Sequence, residues 1–166
     1  MLIAMAGLPG TGKSTLAVRI AERIGGLVLN KDMVRAELFP VVDYSREQDD
    51  AAVAWMYGEA AWRIAEQPVI IDGRTFSKSY QVRDLLEAAA RMGVESRIIE
   101  CVASDDAVKV RLERDLAAGL HPAKNRTFEM YSEVKGKAEP LSVPRLTLDT
   151  GTTSMEVCVE QVLAFL

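Results

Sequence analysis

Histidine is almost absent from this chain, with His121 the single example, and cysteine is limited to Cys101 and Cys158. Two cysteines without metal-ligand spacing exclude a disulfide scaffold and a cysteine-based zinc site. His121, beside Pro122, has no partner at ligand spacing and reads as a surface residue rather than a metal ligand or base. Long apolar runs are also missing, since no stretch approaches the roughly 20 residues that a membrane span needs. The opening MLIAMAGLPG has no basic segment ahead of its short apolar run, which argues against a secretory leader. The expectation is a reduced, cytoplasmic protein with no membrane partner. Repeats, low-complexity tracts and linkers are absent as well, so residues 1–166, 49% hydrophobic and 27% charged, are expected to form a single globular domain.

A broad basic surface is another absence. The chain carries 20 Lys+Arg against 24 Asp+Glu. Residues 109–137 hold seven basic and four acidic side chains, which leaves seven net negative charges for the remainder. No basic and aromatic interleaving is visible, so a gripped nucleic-acid backbone is disfavoured and a small-molecule partner favoured. A nucleoside or a short oligonucleotide end stays open, because only a terminal hydroxyl need enter a site. The basic segment itself is either a solvated face or a cover over an anionic ligand.

What is present is an alternation of short apolar runs and helical patterns. Strands are predicted at 2–6, 27–30, 68–72, 94–102 and 145–149, and their continuous apolar character suggests burial on both faces. Helical stripes run through Leu16, Ile20 and Ile24, through Val53, Met56, Tyr57, Ala60 and Ile64, through Val82, Leu85, Leu86 and Ala89, and through Met155, Val159, Val162 and Leu166. Capping boxes are predicted at Ser45 with Gln48 and at Thr153 with Glu156. The pattern gives an α/β fold with a five-stranded, mostly parallel sheet and helices on both faces.

Gly7-Leu8-Pro9-Gly10-Thr11-Gly12-Lys13-Ser14 satisfies G-x-x-x-x-G-K-[ST] between an apolar strand and an amphipathic helix, with Thr15 next. Backbone N–H groups of such a loop surround phosphate oxygens, Lys13 reaches the terminal phosphates, and Ser14 offers a magnesium ligand. The GTPase signatures fail, since Met33 follows Asn30-Lys31-Asp32 and Arg74-Thr75 follow Asp72-Gly73. VIID ends in Asp72 with no second carboxylate to polarise water, although Asp72 is placed to hold a magnesium hydration shell or else to cap the following turn. Asp32 follows the second strand on the rim where open α/β sheets bind ligands, with Arg35 one helical turn on. The pair is either a base beside an acceptor hydroxyl with its anchoring cation, or a surface ion pair. Between residues 39 and 67 lies a mostly helical insertion with Tyr44, Asp49, Trp55, Tyr57 and Trp62, whose aromatics either wall an acceptor or form the buried side of a helix. Arg74 and Thr75 are further candidates for that wall.

The runs GLPGTGKSTLA, LNKDMVR, VIIDGRTFSKSYQVRDLLEAAARMGV, VRLERDLAAG and RLTLDTG span nearly the whole chain, which resembles the small P-loop kinases of the AAA_33 type. Those kinases include the kinase domain of phage polynucleotide kinase and are similar to chloramphenicol phosphotransferases and zeta toxins. The resemblance implies a P-loop NTPase fold, ATP and Mg2+ as cofactors, Asp32 as general base and Arg35 as a substrate contact. It further implies arginines on a helix before a mobile helical lid, a place that Arg111 and Arg114 match. The lid candidate is about 115–135, with Arg126 lying across its 118–125 stretch. Adenine is expected near 150–152, including Gly151, with Arg114 also on the nucleotide. The expected activity is transfer of the ATP γ-phosphate to a small-molecule hydroxyl, with Arg111 or Arg114 and Arg126 offsetting charge. A 5′-hydroxyl polynucleotide or nucleoside kinase, and an acceptor-free nucleotide switch, are the alternatives. The oligomeric state is not legible.

Overall fold

The computed structural model of the protein describes residues 1–119 and 126–166. Positions 120–125, which carry His121, Lys124 and most of the expected 118–125 lid stretch, lie outside the described residues. Five parallel strands, β1 (Leu2–Ala6), β2 (Leu27–Asn30), β3 (Val69–Asp72), β4 (Ser96–Val102) and β5 (Leu146–Asp149), stand in the order β2-β3-β1-β4-β5. Central β1 is wholly buried because its two faces are both covered. Leu2, Ala4 and Ala6 face a layer containing Met56 and Leu85, while Ile3 and Met5 face Leu16, Ile20 and Val162.

Those layers are helical. α1 (Lys13–Ile24) and α7 (Met155–Phe165) cover one face. α2 (Lys31–Leu38), α3 (Arg46–Arg63) and α4 (Ser79–Met92) cover the other. α5 (Asp105–Ala118) and α6 (Phe128–Gly136) join through Val108, Leu112 and Tyr131, at the edge of the P-loop residue Leu8. The chain leaving β1 enters a helix on one face and the chain leaving β3 enters a helix on the opposite face. Their loops therefore diverge, and the crevice between them is the position where open α/β sheets place ligands.

The strand predictions hold to within two residues. β4 begins at Ser96 rather than at 94 because Gly93, at φ 67°, terminates α4 and the Val94 N–H donates back to the Ala89 carbonyl. Ser45 caps α3 by accepting from the Gln48 N–H, but the box is not reciprocal, because the Ser45 N–H donates to Asp43 Oδ1 and the Gln48 side chain accepts from the Asp43 N–H instead. The second box is displaced: Ser154 caps α7 by accepting from Val157, because the Thr153 N–H already donates to Asp149 in the turn after β5. Of the stripe residues, Leu86 is exposed.

Gly7 closes β1 at φ 128°, and a Cβ there would stand 2.2 Å from the Cys101 carbonyl oxygen of β4. Its N–H also donates to the Thr75 carbonyl at 2.9 Å, so one residue fixes the P-loop against both neighbouring strand ends. Gly7→Ala must open the β1–β4 register. We expect a loss of about 3 kcal/mol or more in a denaturant titration, and a loss below about 1 kcal/mol would contradict this packing.

Candidate active site

Two cavities open on the carboxyl rim of the sheet. One, of about 240 Å³, is lined by Gly10, Gly12, Thr15, Arg111, Arg114 and Thr150 among others. The second, of about 230 Å³, is lined by Pro9, Asp32, Arg35, Tyr44, Asp49 and Thr75, with Met130 and Val134 from α6. Lys13, Ser14 and Arg126 line both. A group passing from one cavity to the other therefore passes two cations and a hydroxyl.

The P-loop half is built by backbone hydrogen bonds. Lys13 is buried and its Nζ donates to the Leu8 carbonyl at 2.7 Å, alongside the Thr11 hydroxyl at 2.8 Å. Burial lowers the Lys13 pKa to about 8, against the opposing pull of the Asp72 charge, while Arg126 lowers it further. Thr150, at the end of β5, donates its hydroxyl to the Thr11 carbonyl at 2.8 Å. Arg111 reaches the Thr150 hydroxyl at 3.0 Å, its carbonyl at 2.7 Å and the Gly10 carbonyl at 3.3 Å. Arg111 thus ties the loop to β5. Arg114 is exposed and pairs with Asp115 at 3.0 Å. The Gly151 N–H donates to the Asp149 carboxylate at 2.8 Å, and Gly151 is exposed, next to Thr150 of the cavity lining.

The other half is a charge cluster at the start of α2. Arg35, 4% exposed, donates to Asp32 Oδ1 at 2.9 Å and to Asp49 Oδ1. Lys31 donates to the same Asp49 oxygen at 2.5 Å. The guanidinium also lies 5.6 Å from the Tyr44 ring centroid. Arg126 is held below the ordinary guanidinium range by burial, with Asp32, Asp115 and Asp72 opposing that shift. Of the insertion's aromatics, Tyr44 alone lines this cavity, whereas Trp55 and Trp62 face solvent.

Arg74 is not brought into the cleft. It is buried, ion-paired with Asp84 at 2.9 Å, and 5.9 Å from the Phe76 ring centroid, so its charge is matched inside the α4 layer. Sequence reading gave no role to Asp49, which holds Lys31 and Arg35 from α3, or to Asn30. The Asn30 side-chain Oδ1 accepts from the N–H groups of Asp32 and Met33, and its Nδ2 donates to Asp72 Oδ2 at 2.6 Å. An N-cap residue type at the end of the second apolar run was the available signal. Asp72 is 1% exposed, and its Oδ1 has no protein partner. A buried carboxylate oxygen left open at a strand end, with the Ser14 hydroxyl in the adjoining cleft, fits the hydration shell of a divalent cation.

The family model AAA_33, an AAA domain, matches residues 2–133. The chain belongs to this family. Its relatives include an adenylyl-sulfate kinase of Acaryochloris marina, 28% identical over 96% of this chain and 78% of the relative. A kinase-designated structure from Chloroflexus aurantiacus superposes at TM-score 0.79, with 26% identity, over 99% of this chain and 97% of the other. The Mycobacterium tuberculosis APS kinase, solved with AMPPNP and APS, shares the fold at TM-score 0.73 and 16% identity, over 98% and 95% of the two chains. This AAA_33 protein is an ATP-dependent kinase. Among the described residues, no helix is long and apolar enough to cross a membrane.

Two outcomes follow from this geometry. Burial lowers the Lys13 pKa to about 8, and a triphosphate beside it raises that pKa, so binding near pH 8 is expected to take up protons. Calorimetry in buffers of different ionisation enthalpy measures this uptake, and Lys13→Gln must abolish it. Asn30→Ser keeps a cap on α2 whereas Asn30→Ala does not, and both remove the donor to Asp72. In thermal unfolding the Ala variant should be the less stable of the two by about 1 kcal/mol, and equal stabilities would deny Asn30 its capping role.

Proposed function

We propose that Asp32 is the general base of the phosphotransfer and that the cavity around it receives the acceptor. The observation carrying this reading is that the two cavities meet at Lys13, Ser14 and Arg126 while Asp32 lines only the one away from Arg111 and Thr150. ATP phosphates in the P-loop cavity then point their terminal group toward Asp32 across that junction. The Arg35 bond to Oδ1 fixes the rotation of the Asp32 carboxylate. The acceptor hydroxyl gives its proton to Asp32, its oxygen forms the new bond to the γ-phosphorus, and the bond to the β–γ bridging oxygen breaks with release of ADP. Lys13 and Arg126 offset the charge spread over the moving group. Arg111 acts by holding Gly10 and Thr150 in place, and Arg114 contributes from the outer wall of the nucleotide cavity.

Ser14 and Asp72 would hold magnesium, which when bound offsets the charge on the β- and γ-phosphates. The open Oδ1 of Asp72 supports this assignment. The relatives' name makes adenylyl sulfate one acceptor to try.

Transfer of labelled γ-phosphate to a panel of adenylyl sulfate, sugars, nucleosides, aminoglycoside-like and phenolic alcohols and 5′-hydroxyl oligonucleotides tests the reading. Asp32→Asn should lower kcat by a factor of about 10² to 10⁴ with the labelled acceptor, and leave ATP affinity within about threefold. A variant retaining a tenth of the wild-type rate would remove Asp32 as base. ADP formation without any acceptor, equal in both proteins, would favour a nucleotide switch.

A further inference from the structure

A third cavity, of about 260 Å³, lies on the other side of the P-loop from Lys13 and Ser14. Its walls are apolar, formed by Leu8, Phe76, Val102, Tyr131 and Leu141. The acceptor cavity and this one border the same three elements. Thr75 lines both; Pro9 borders one and Leu8 the other; and on α6, Met130 and Val134 face the acceptor cavity while Tyr131 and Lys135 face the apolar one. Residues one position apart on a helix point about 100° apart, so the ridge of α6 runs above the boundary between the two. Together they reach the ~300 Å³ and upward range of ligand pockets, which neither reaches alone.

The charges at the rim of the apolar cavity are already matched. Lys135 donates to both Asp105 oxygens at 2.6 and 2.7 Å. Glu100 accepts from Arg145 at 2.6 Å and from Thr147 at 3.0 Å. Glu139 accepts from the Ser79 N–H at 2.8 Å and from Lys78 at 3.2 Å. The Cys101 thiol, pushed up to about 12 by burial, is uncharged there. The wall is also built rather than frayed, since the Glu139 N–H donates to the Ser77 carbonyl at 2.8 Å and Leu141 packs against the core. By contrast, four cations and two carboxylates line the acceptor cavity: Lys13, Lys31, Arg35 and Arg126 against Asp32 and Asp49. The trough under α6 is therefore charged at its Asp32 end and neutral and apolar at the other.

We propose that this apolar cavity receives the neutral, apolar body of the acceptor, so that the substrate class is an alcohol with an aryl or alkyl body whose hydroxyl reaches Asp32. The proposal rests on the reading of the Asp32 cavity as the acceptor site. An ionised group on the distal end of the acceptor would enter a compartment with no unmatched counter-charge among the described residues, at a desolvation cost.

The test uses the full chain, methyl-labelled and loaded with ADP, titrated with 3-phenyl-1-propanol and followed by NMR. Methyl resonances of Leu8, Val102 and Leu141 should shift, and Val102→Trp, which fills the cavity from its rim, should remove the shifts while ADP affinity stays within twofold. Val102→Phe, a smaller intrusion, should remove them in part. In parallel, transfer from ATP to straight-chain primary alcohols should gain about three- to fourfold in kcat/KM per added methylene until the cavity is filled, and Val102→Trp should flatten that series. No shift at the three residues overturns the compartment and leaves phosphotransfer with Asp32 standing. Shifts without labelling of any acceptor keep a binding cavity and overturn its role in transfer. Labelling of adenylyl sulfate with a KM unmoved by Val102→Trp overturns the proposed substrate class.

Discussion

The amide of Asn30 is used at both ends. Its oxygen fixes the first turn of α2, and with it the backbone of Asp32, while its nitrogen holds one oxygen of the Asp72 carboxylate. β2 and β3 are paired in register with Asn30 opposite Asp72, so this bond crosses the shortest distance between two strand ends. The groups assigned to proton removal and to cation holding are thereby set relative to one another by a single planar side chain. Because Asp72 is buried, the bond also leaves one carboxylate oxygen satisfied and the other open, which is a defined acceptor for a hydrated cation rather than a buried anion with no partner.

The phosphate cradle shows the same economy of parts. Its shape is braced by hydrogen bonds within the protein: Lys13 and Thr11 close on the Leu8 carbonyl, and Thr150 and Arg111 hold the Thr11 and Gly10 carbonyls from the end of β5 and from α5. Preorganisation of this kind lowers the ordering cost of binding and places charge before the reaction needs it. It also explains why two arginines on one helix face differ. Arg111 points inward to acceptors on the loop, whereas Arg114, one turn later, stands in solvent beside Asp115.

The sheet was legible because a doubly covered parallel strand must be apolar throughout, and the P-loop was legible because its backbone geometry restricts residue type at several consecutive positions. The elements written less clearly are those defined by long-range partners. Arg74 reads as a rim residue directly after a strand, yet Asp84, one turn into α4, matches its charge inside the fold. Asp49 gains its role only because α3 folds back beside α2, eighteen residues from Lys31 in sequence and 2.5 Å from it in space. Thr153 and Ser154 both suit an N-cap, and the choice between them was made by a backbone bond from Thr153 to Asp149 that no local pattern encodes.

The two loops bordering the trough carry the backbone strain. Among the described residues, Tyr44 and Phe76 are the non-glycine residues at positive φ, 58° and 52°, in the left-handed region that side chains enter at a cost. Each is held there by burial or by a cation: Phe76 is 1% exposed beneath Arg74, and Tyr44 lies beside Arg35. Phe76 follows Thr75, the residue common to the charged and apolar cavities, and its conformation turns the chain so that the Thr75 hydroxyl meets Ser77 at 2.7 Å while its carbonyl accepts from Gly7. The stretch of lining shared by the two ends of the trough is consequently a strained turn braced by a buried guanidinium. Arg74, excluded from the cleft itself, thus helps shape it from beneath by holding the ring that fixes Thr75.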